Sequence, residues 1–213
     1  MKKILIATTN QGKFEEFVKE LSGLNIDFTD LKQIALDNDD VDEPFPTMKE
    51  NALRKARYYA EKSGLPTIAE DTGFFVEFLN KEPGVKAKRF GATALERNNK
   101  ILQKLEGVPE DKRNAFFQTD ACYFDPQDKT AVYFSGRADG LIASEIIGQN
   151  REGLGYDSIF IHPATGKAFS EITLEEKNKI SHRGKILEQI KCFLIKNSKI
   201  KNFEMYVRYQ IHP

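Results

Sequence analysis

The chain has 213 residues, 40% of them hydrophobic, enough to bury a sizeable core in one large domain or in one domain with a small lobe. Its 32 Lys and Arg balance 32 Asp and Glu, so no long-range field draws the whole molecule to nucleic acid or to an acidic membrane, and any anion site must be local. The opening MKKILIA is shorter than the roughly 7–15 apolar residues of a secretory core, and no later stretch approaches the ~18 of a membrane span. With Cys122 and Cys192 far apart among apolar or aromatic neighbours, two buried free thiols in a reducing, cytoplasmic compartment are the expectation.

Lys3 to Ala7 is a short apolar run of the kind buried on both faces of a sheet, and Phe14, Phe17, Val18 and Leu21 follow at helical spacing. Asn25 to Leu31 makes a second strand, and the acidic stretch Asp37 to Glu43 a loop. Thr47 and Glu50 have capping-box spacing ahead of a helix with Ala52, Leu53, Ala56, Tyr59 and Ala60 on one face, stopped at Ser63 and Gly64. Pro66 to Glu70 is a short strand ending in the polar cluster Glu70-Asp71-Thr72-Gly73, with Phe74 to Leu79 a candidate extension of the sheet. After the Pro83–Gly91 loop, Thr93 to Leu105 is helical. Ala115–Phe124 and Ala131–Ala138 form an antiparallel hairpin around Pro126–Lys129, the expected second lobe at about 112–140. A glycine-rich stretch, Gly148 to Gly155, precedes the strand Ser158–His162. Thr173 and Glu176 offer another capping box, and Ile186, Leu187, Ile190, Phe193 and Leu194 mark a final helix closing a domain of residues 1–196. Residues 197–213 have no clear periodicity and are expected to form an appended tail. The alternation of strands and helices with an inserted hairpin indicates an α/β fold with a mixed sheet.

Four segments carry candidate chemistry. Thr8, Thr9, Asn10, Gln11, Gly12 and Lys13 lie between a buried strand and an amphipathic helix, where unpaired N–H groups and the helix dipole favour a phosphate. The pattern is not a Walker motif, and the same residues would serve an ordinary helix cap with a solvated lysine. Glu70-Asp71-Thr72-Gly73, with Glu43 and Glu50 upstream, gathers carboxylates whose repulsion a divalent cation would relieve; magnesium prefers one or two carboxylates plus phosphate oxygens. The alternative is a turn in which Asp71 bonds its own backbone. Lys177, Ser181, His182 and Arg183 cluster at the start of the last helix, as a phosphate-neutralising group or as a solvated helix face, with Ser181 a candidate cap. Gly153, Leu154, Gly155, Tyr156 and Asp157 combine glycines that let backbone approach a flat ligand with an acceptor for a base or sugar. Lys55 alone reads as a surface lysine, and His162 and His212 as structural or surface residues.

Taken in order, TTNQGK (8–13), EDTG (70–73), GLGYDSIF (153–160) and EEKNKISHR (175–183) resemble the inosine triphosphate pyrophosphatase family, from Met1 to about Lys196. That resemblance implies an elongated mixed sheet flanked by helices, with two lobes and a cleft between them. It also implies hydrolysis of ITP, dITP and XTP to the monophosphate and pyrophosphate. By the same resemblance Thr8 to Lys13 hold the triphosphate, Asp71 binds Mg2+ and acts as the base, and Glu43 and Glu70 assist the metal. Lys55 and Lys177 counter phosphate charge, Thr72 touches substrate, and Leu154, Gly155, Tyr156, Asp157, His182 and Arg183 surround the base. A homodimer is the expected assembly, with neither nucleic acid nor membrane as partner. The sequence departs from the family pattern at Leu154, where an aromatic ring is usual, at Val85-Lys86-Ala87-Lys88-Arg89, which gains positive charge, and at Thr72, usually serine. A Maf-like pyrophosphatase is the nearer alternative, but its Ser-x-Ser-Pro-Arg-Arg turn is replaced here by Thr9-Asn10-Gln11-Gly12-Lys13; a non-catalytic nucleotide-binding module is the other.

Overall fold

The computed structural model describes residues 2–39, 41–149 and 155–210, with side chains as far as Asn197. In chain order the elements are β1 (Lys2–Ile6), α1 (Gln11–Glu20), β2 (Ile26–Asp30), α2 (Met48–Ser63), β3 (Thr67–Val76), β4 (Pro83–Gly84), α3 (Ala94–Lys104), β5 (Asn114–Phe124), β6 (Ala131–Ile142), β7 (Phe160–His162), β8 (Lys167–Ala168), α4 (Leu174–Ile180) and α5 (His182–Gln210). The strands make one mixed sheet in the order β2-β1-β3-β5-β6-β7-β8, with β4 on an edge of β3. β1 runs parallel to β2 and β3, whereas β5 to β8 are antiparallel to their neighbours. No helix of the described residues is long and apolar enough to cross a membrane.

Local chemistry sets the helix ends. Thr47, Thr93 and Thr173 each accept the backbone N–H three residues on, satisfying a donor that the first helical turn leaves open. At Thr173 the reciprocal bond from Glu176 completes the capping box. Gly64 ends α2 in the left-handed region, at φ +69, where a Cβ would be strained.

The apolar faces divide into cores on the two sides of the sheet. Ile4, Ile6 and Ile68 pack against Phe14 and Phe17 of α1 and Ile186 and Ile190 of α5. On the opposite face Leu5, Ala69 and Cys122 pack under Ala52, Ala56 and Tyr59 of α2. Toward the far ends of β3, β5 and β6 an aromatic core of Phe74, Phe117, Tyr156, Phe160 and Phe169 is joined by Ile101 of α3. The long strands thus tie two halves of the molecule together, and the expected hairpin is an integral part of the one sheet.

Three expectations change. β3 runs unbroken from Thr67 to Val76, so Glu70–Gly73 lies in mid-strand and not at a strand end; ladder pairing to β5 along its whole length outweighs the glycine and the charges. α5 continues to Gln210, so its backbone stays helical beyond Lys196. Cys192 is exposed, because it falls on the side of α5 away from Ile190 and Leu194, whereas Cys122 is buried; both are free. Leu154 and His212 lie outside the described residues.

Candidate active site

Along one edge of β3 the neighbouring strands leave a gap. β1 pairs only with Thr67 and Ile68, and β4 only with Phe74 and Phe75, so among the described residues no strand borders Ala69 to Gly73 on that side. Ala7 N–H donates to Ile68 O at 2.8 Å, which fixes the carbonyl of Glu70 and the N–H of Thr72, two and four residues on, toward the same edge. Side chains fill those positions: Lys55 Nζ donates to Glu70 O at 2.7 Å, and Thr72 N–H donates to Asp71 Oδ1 at 2.9 Å.

The two adjacent carboxylates do not share a pocket. The period of two along a strand sends Asp71 to the α2 face and Glu70 to the α1/α5 face. This corrects the expectation of a Glu70–Asp71 pair relieved by one cation. Asp71 Oδ2 accepts from Asn51 Nδ2 at 3.1 Å, and Lys55, close by, pairs with Glu43 at 2.5 Å. Burial raises the Asp71 pKa above the ordinary aspartate value, Lys55 opposes the shift, and the Glu43 charge adds to it. Asn51 also bonds both the N–H and the carbonyl of Phe45, stapling the loop that carries Glu43 onto α2.

Glu70, in contrast, is bound by cations. Arg183 grips both its oxygens, with its Nη2 3.0 Å from Oε1, and Lys13 Nζ lies 2.8 Å from the same oxygen. Arg183 also reaches Glu16 at 3.1 Å, so two carboxylates and two cations form one buried network linking α1, β3 and α5. Although burial alone would raise the Glu70 pKa, Arg183 and then Lys13 hold it well below the usual carboxylate range. Burial lowers the Lys13 pKa against the pull of Glu70. Thr72 shares this face and bonds Thr119 at 2.7 Å.

The turn before α1 is built as a cap. Asn10 Oδ1 accepts Lys13 N–H at 2.9 Å, and Thr8 Oγ1 accepts Asn10 N–H at 3.1 Å. Gln11 bends along the helix to Glu15, and Thr9 is exposed. The N–H groups of Gln11 and Gly12, in the first turn of α1, have no intrahelical acceptor.

Residues 155–158 and the α4–α5 junction form a second wall of buried groups. Tyr156 is fully buried, its ring 4.4 Å from Phe74 and its hydroxyl donating to Ala87 O at 2.8 Å, so it supports this wall from behind. Asp157 and Lys177 form a buried pair at 2.5 Å; the solvated-face alternative for Lys177 does not hold. Ser181 Oγ accepts Gly184 N–H at 3.0 Å, the capping role expected of it. The His182 ring stacks on Phe117 at 4.7 Å, and its Nδ1 is buried without a partner. Burial, with Arg183 and Lys177 nearby, lowers its pKa well below the ordinary histidine value. A Cβ on Gly136 would run into the His182 carbonyl, so only glycine lets α5 begin this close to β6.

Asn51 and Glu16 were not found from the sequence. The available signal was a polar residue on an otherwise apolar helix face, between Met48 and Ala52 in one case and between Phe14 and Phe17 in the other. A surface hollow lies elsewhere, between α1, α4 and α5. There Asn178 and Lys191 tie down the end of α1 through Glu20, and no comparable convergence of buried charges occurs.

Residues 4–193 match the Ham1 family. The chain is 40% identical over 197 residues to a dITP/XTP pyrophosphatase of Thermoanaerobacter sp. (strain X514), covering 91% of this chain and 97% of that protein. It is 37% identical to the dITP/XTP pyrophosphatase of Listeria monocytogenes serovar 1/2a (strain ATCC BAA-679 / EGD-e), covering 92% and 96%. Among solved structures it superposes on a HAM1 protein from Coxiella burnetii with a TM-score of 0.83 at 35% identity, covering 92% of this chain and 100% of that one. On the Staphylococcus aureus Ham1 protein the TM-score is 0.81 at 31% identity, with the same coverage. The family match, the sequence identity and the structural superposition agree: this chain belongs to the Ham1 family.

Proposed function

We propose that the protein hydrolyses dITP, ITP and XTP to the nucleoside monophosphate and pyrophosphate. The observation that carries this reading is Asp71: a half-buried carboxylate of raised pKa, fixed at both oxygens by Asn51 and the Thr72 N–H, in a gap of the sheet. The relatives named dITP/XTP pyrophosphatase support the choice of substrate.

In this reading the triphosphate lies along the gap, its anionic end at the Thr8–Lys13 turn, where first-turn N–H groups and the helix dipole face it. Lys13 and Lys55 exchange part of their contact with Glu70 and Glu43 for phosphate oxygens, and Lys177 adds a third cation. Asp71 accepts the proton of a water whose oxygen attacks the α-phosphorus. The P–O bond to the β-phosphate breaks and pyrophosphate leaves, with no covalent enzyme intermediate. Glu70 keeps Arg183 and Lys13 in place.

Glu43 and Asp71 suit a hard divalent cation, since both offer only oxygen. Among the described residues no third His, Cys, Asp or Glu converges with them, which leaves coordination positions for phosphate and water. When bound, Mg2+ would neutralise phosphate charge and acidify the attacking water. The base lies against the wall of Asp157, Lys177 and His182. A site that donates to the 6-keto oxygen of hypoxanthine or xanthine penalises the 6-amino group of adenine.

Purified protein with Mg2+ is expected to release pyrophosphate, not orthophosphate, from ITP, dITP and XTP faster than from ATP or GTP. Equal rates on all of them would remove the specificity, and orthophosphate as the product would remove the reaction.

A further inference from the structure

Helix α3 is the seat on which the wall residues 155–158 rest, and it makes three kinds of contact with them. Gly155, at φ +77, sits so close that a Cβ there would lie 2.5 Å from Ala94 Cβ and 3.0 Å from the Arg97 guanidinium. That guanidinium faces the Tyr156 ring at 5.9 Å. Asn98, with no exposed surface, donates from Nδ2 to Ser158 Oγ at 2.7 Å. Asp157 therefore lies between two anchored residues, and Ser170 N–H holds its own carbonyl at 3.2 Å. Its carboxylate is the partner of Lys177.

Asn98 is an expensive choice for a packing residue. Its Oδ1 is buried without a hydrogen-bond partner, a state that proteins avoid and that leucine, of similar volume, would not incur. What asparagine supplies and leucine cannot is the bond to Ser158. We propose that Asn98 is a positioning residue for base recognition: through the Ser158 hydroxyl it fixes the placement of Asp157 and Lys177 relative to the nucleobase. This rests on the reading of the site as a triphosphate pyrophosphatase and assigns Asn98 to discrimination between bases, not to the chemical step.

The test is steady-state kinetics on ITP, XTP and ATP for the wild type, Asn98→Leu, Ser158→Ala and the double variant, with melting temperatures alongside. Ser158→Ala is the milder change, and it keeps the test decisive if Asn98→Leu does not fold. Each single variant is expected to raise KM for ITP about tenfold with kcat within about twofold, and to narrow the ITP-over-ATP preference by about as much. Because both residues act through one bond, the double variant should be no worse than the poorer single one. Lower melting temperatures with unchanged KM and preference, or fully additive losses, would overturn the assignment of Asn98. A wild type that releases no pyrophosphate from any of these triphosphates would overturn the proposed function on which it rests.

Discussion

Glu70 and Asp71 are neighbours in sequence with opposite surroundings, and replacing each should separate them cleanly. Asp71→Asn removes the proposed base but leaves shape and hydrogen-bonding capacity; kcat should fall by about 10³-fold or more, with the melting temperature within a few degrees of the wild type. Glu70→Gln leaves the buried Arg183 and Lys13 charges poorly compensated, with Glu16 the remaining carboxylate. Breaking a buried pair in this way costs about 3–5 kcal/mol, or about 6–20 °C for a chain of this size, as thermal denaturation would read. His182 supplies a pH test. It is buried neutral, so below its ordinary value of 6.5 the unfolded chain takes up a proton that the folded chain refuses. Stability should therefore fall as pH drops from 6.5 toward 5, by up to about 1.4 kcal/mol per unit, and His182→Gln should flatten that slope. Glu70 adds a second loss at lower pH, beginning below its ordinary 4.5, where the unfolded carboxyl protonates first.

At the level of elements, what was legible was what local chemistry decides. Thr47 and Thr173 cap the helices expected of them, and Gly64 stops α2, because a cap needs only its own turn. Gly64→Ala should cost about 1 kcal/mol by placing a Cβ at positive φ, measurable by urea denaturation. The motifs of the site were legible as residue types in order, but their facing was not. The continuity of β3 through Glu70–Gly73 depends on its ladder to β5, a strand more than forty residues on in the sequence. The burial of Lys177 depends on Asp157, twenty residues back, while its own neighbours Glu175, Glu176 and Lys179 are exposed. Asn51 escaped notice because a polar residue near a helix start reads as surface until its partner across the fold is known.

For the molecule as a whole, zero net charge conceals an uneven field. Around the gap the cations Lys13, Lys55, Lys177 and Arg183 are outnumbered by Glu16, Glu43, Glu70, Asp71 and Asp157, so the site itself does not attract a polyanion. Lys86, Lys88 and Arg89 surround the carbonyl that anchors Tyr156; they are exposed and, among the described residues, carry no ion pair. They are suited to draw the substrate in. Lys86→Gln with Lys88→Gln should lower kcat/KM at low ionic strength about threefold or more and leave kcat unchanged. The difference should vanish in high salt, as stopped-flow or steady-state rates across a salt series would reveal.

The gap beside β3 has a consequence for life in a crowded solution. An uncovered strand edge is a template on which another chain can add its own strand, and proteins commonly blunt such edges with lysine. Here Lys55 Nζ occupies the carbonyl of Glu70 and the Asp71 carboxylate occupies the N–H of Thr72, so the groups assigned to turnover also keep the open edge from being copied. Loss of Lys55 should therefore be felt twice, as slower turnover and as a greater tendency to self-associate on storage, which light scattering would detect.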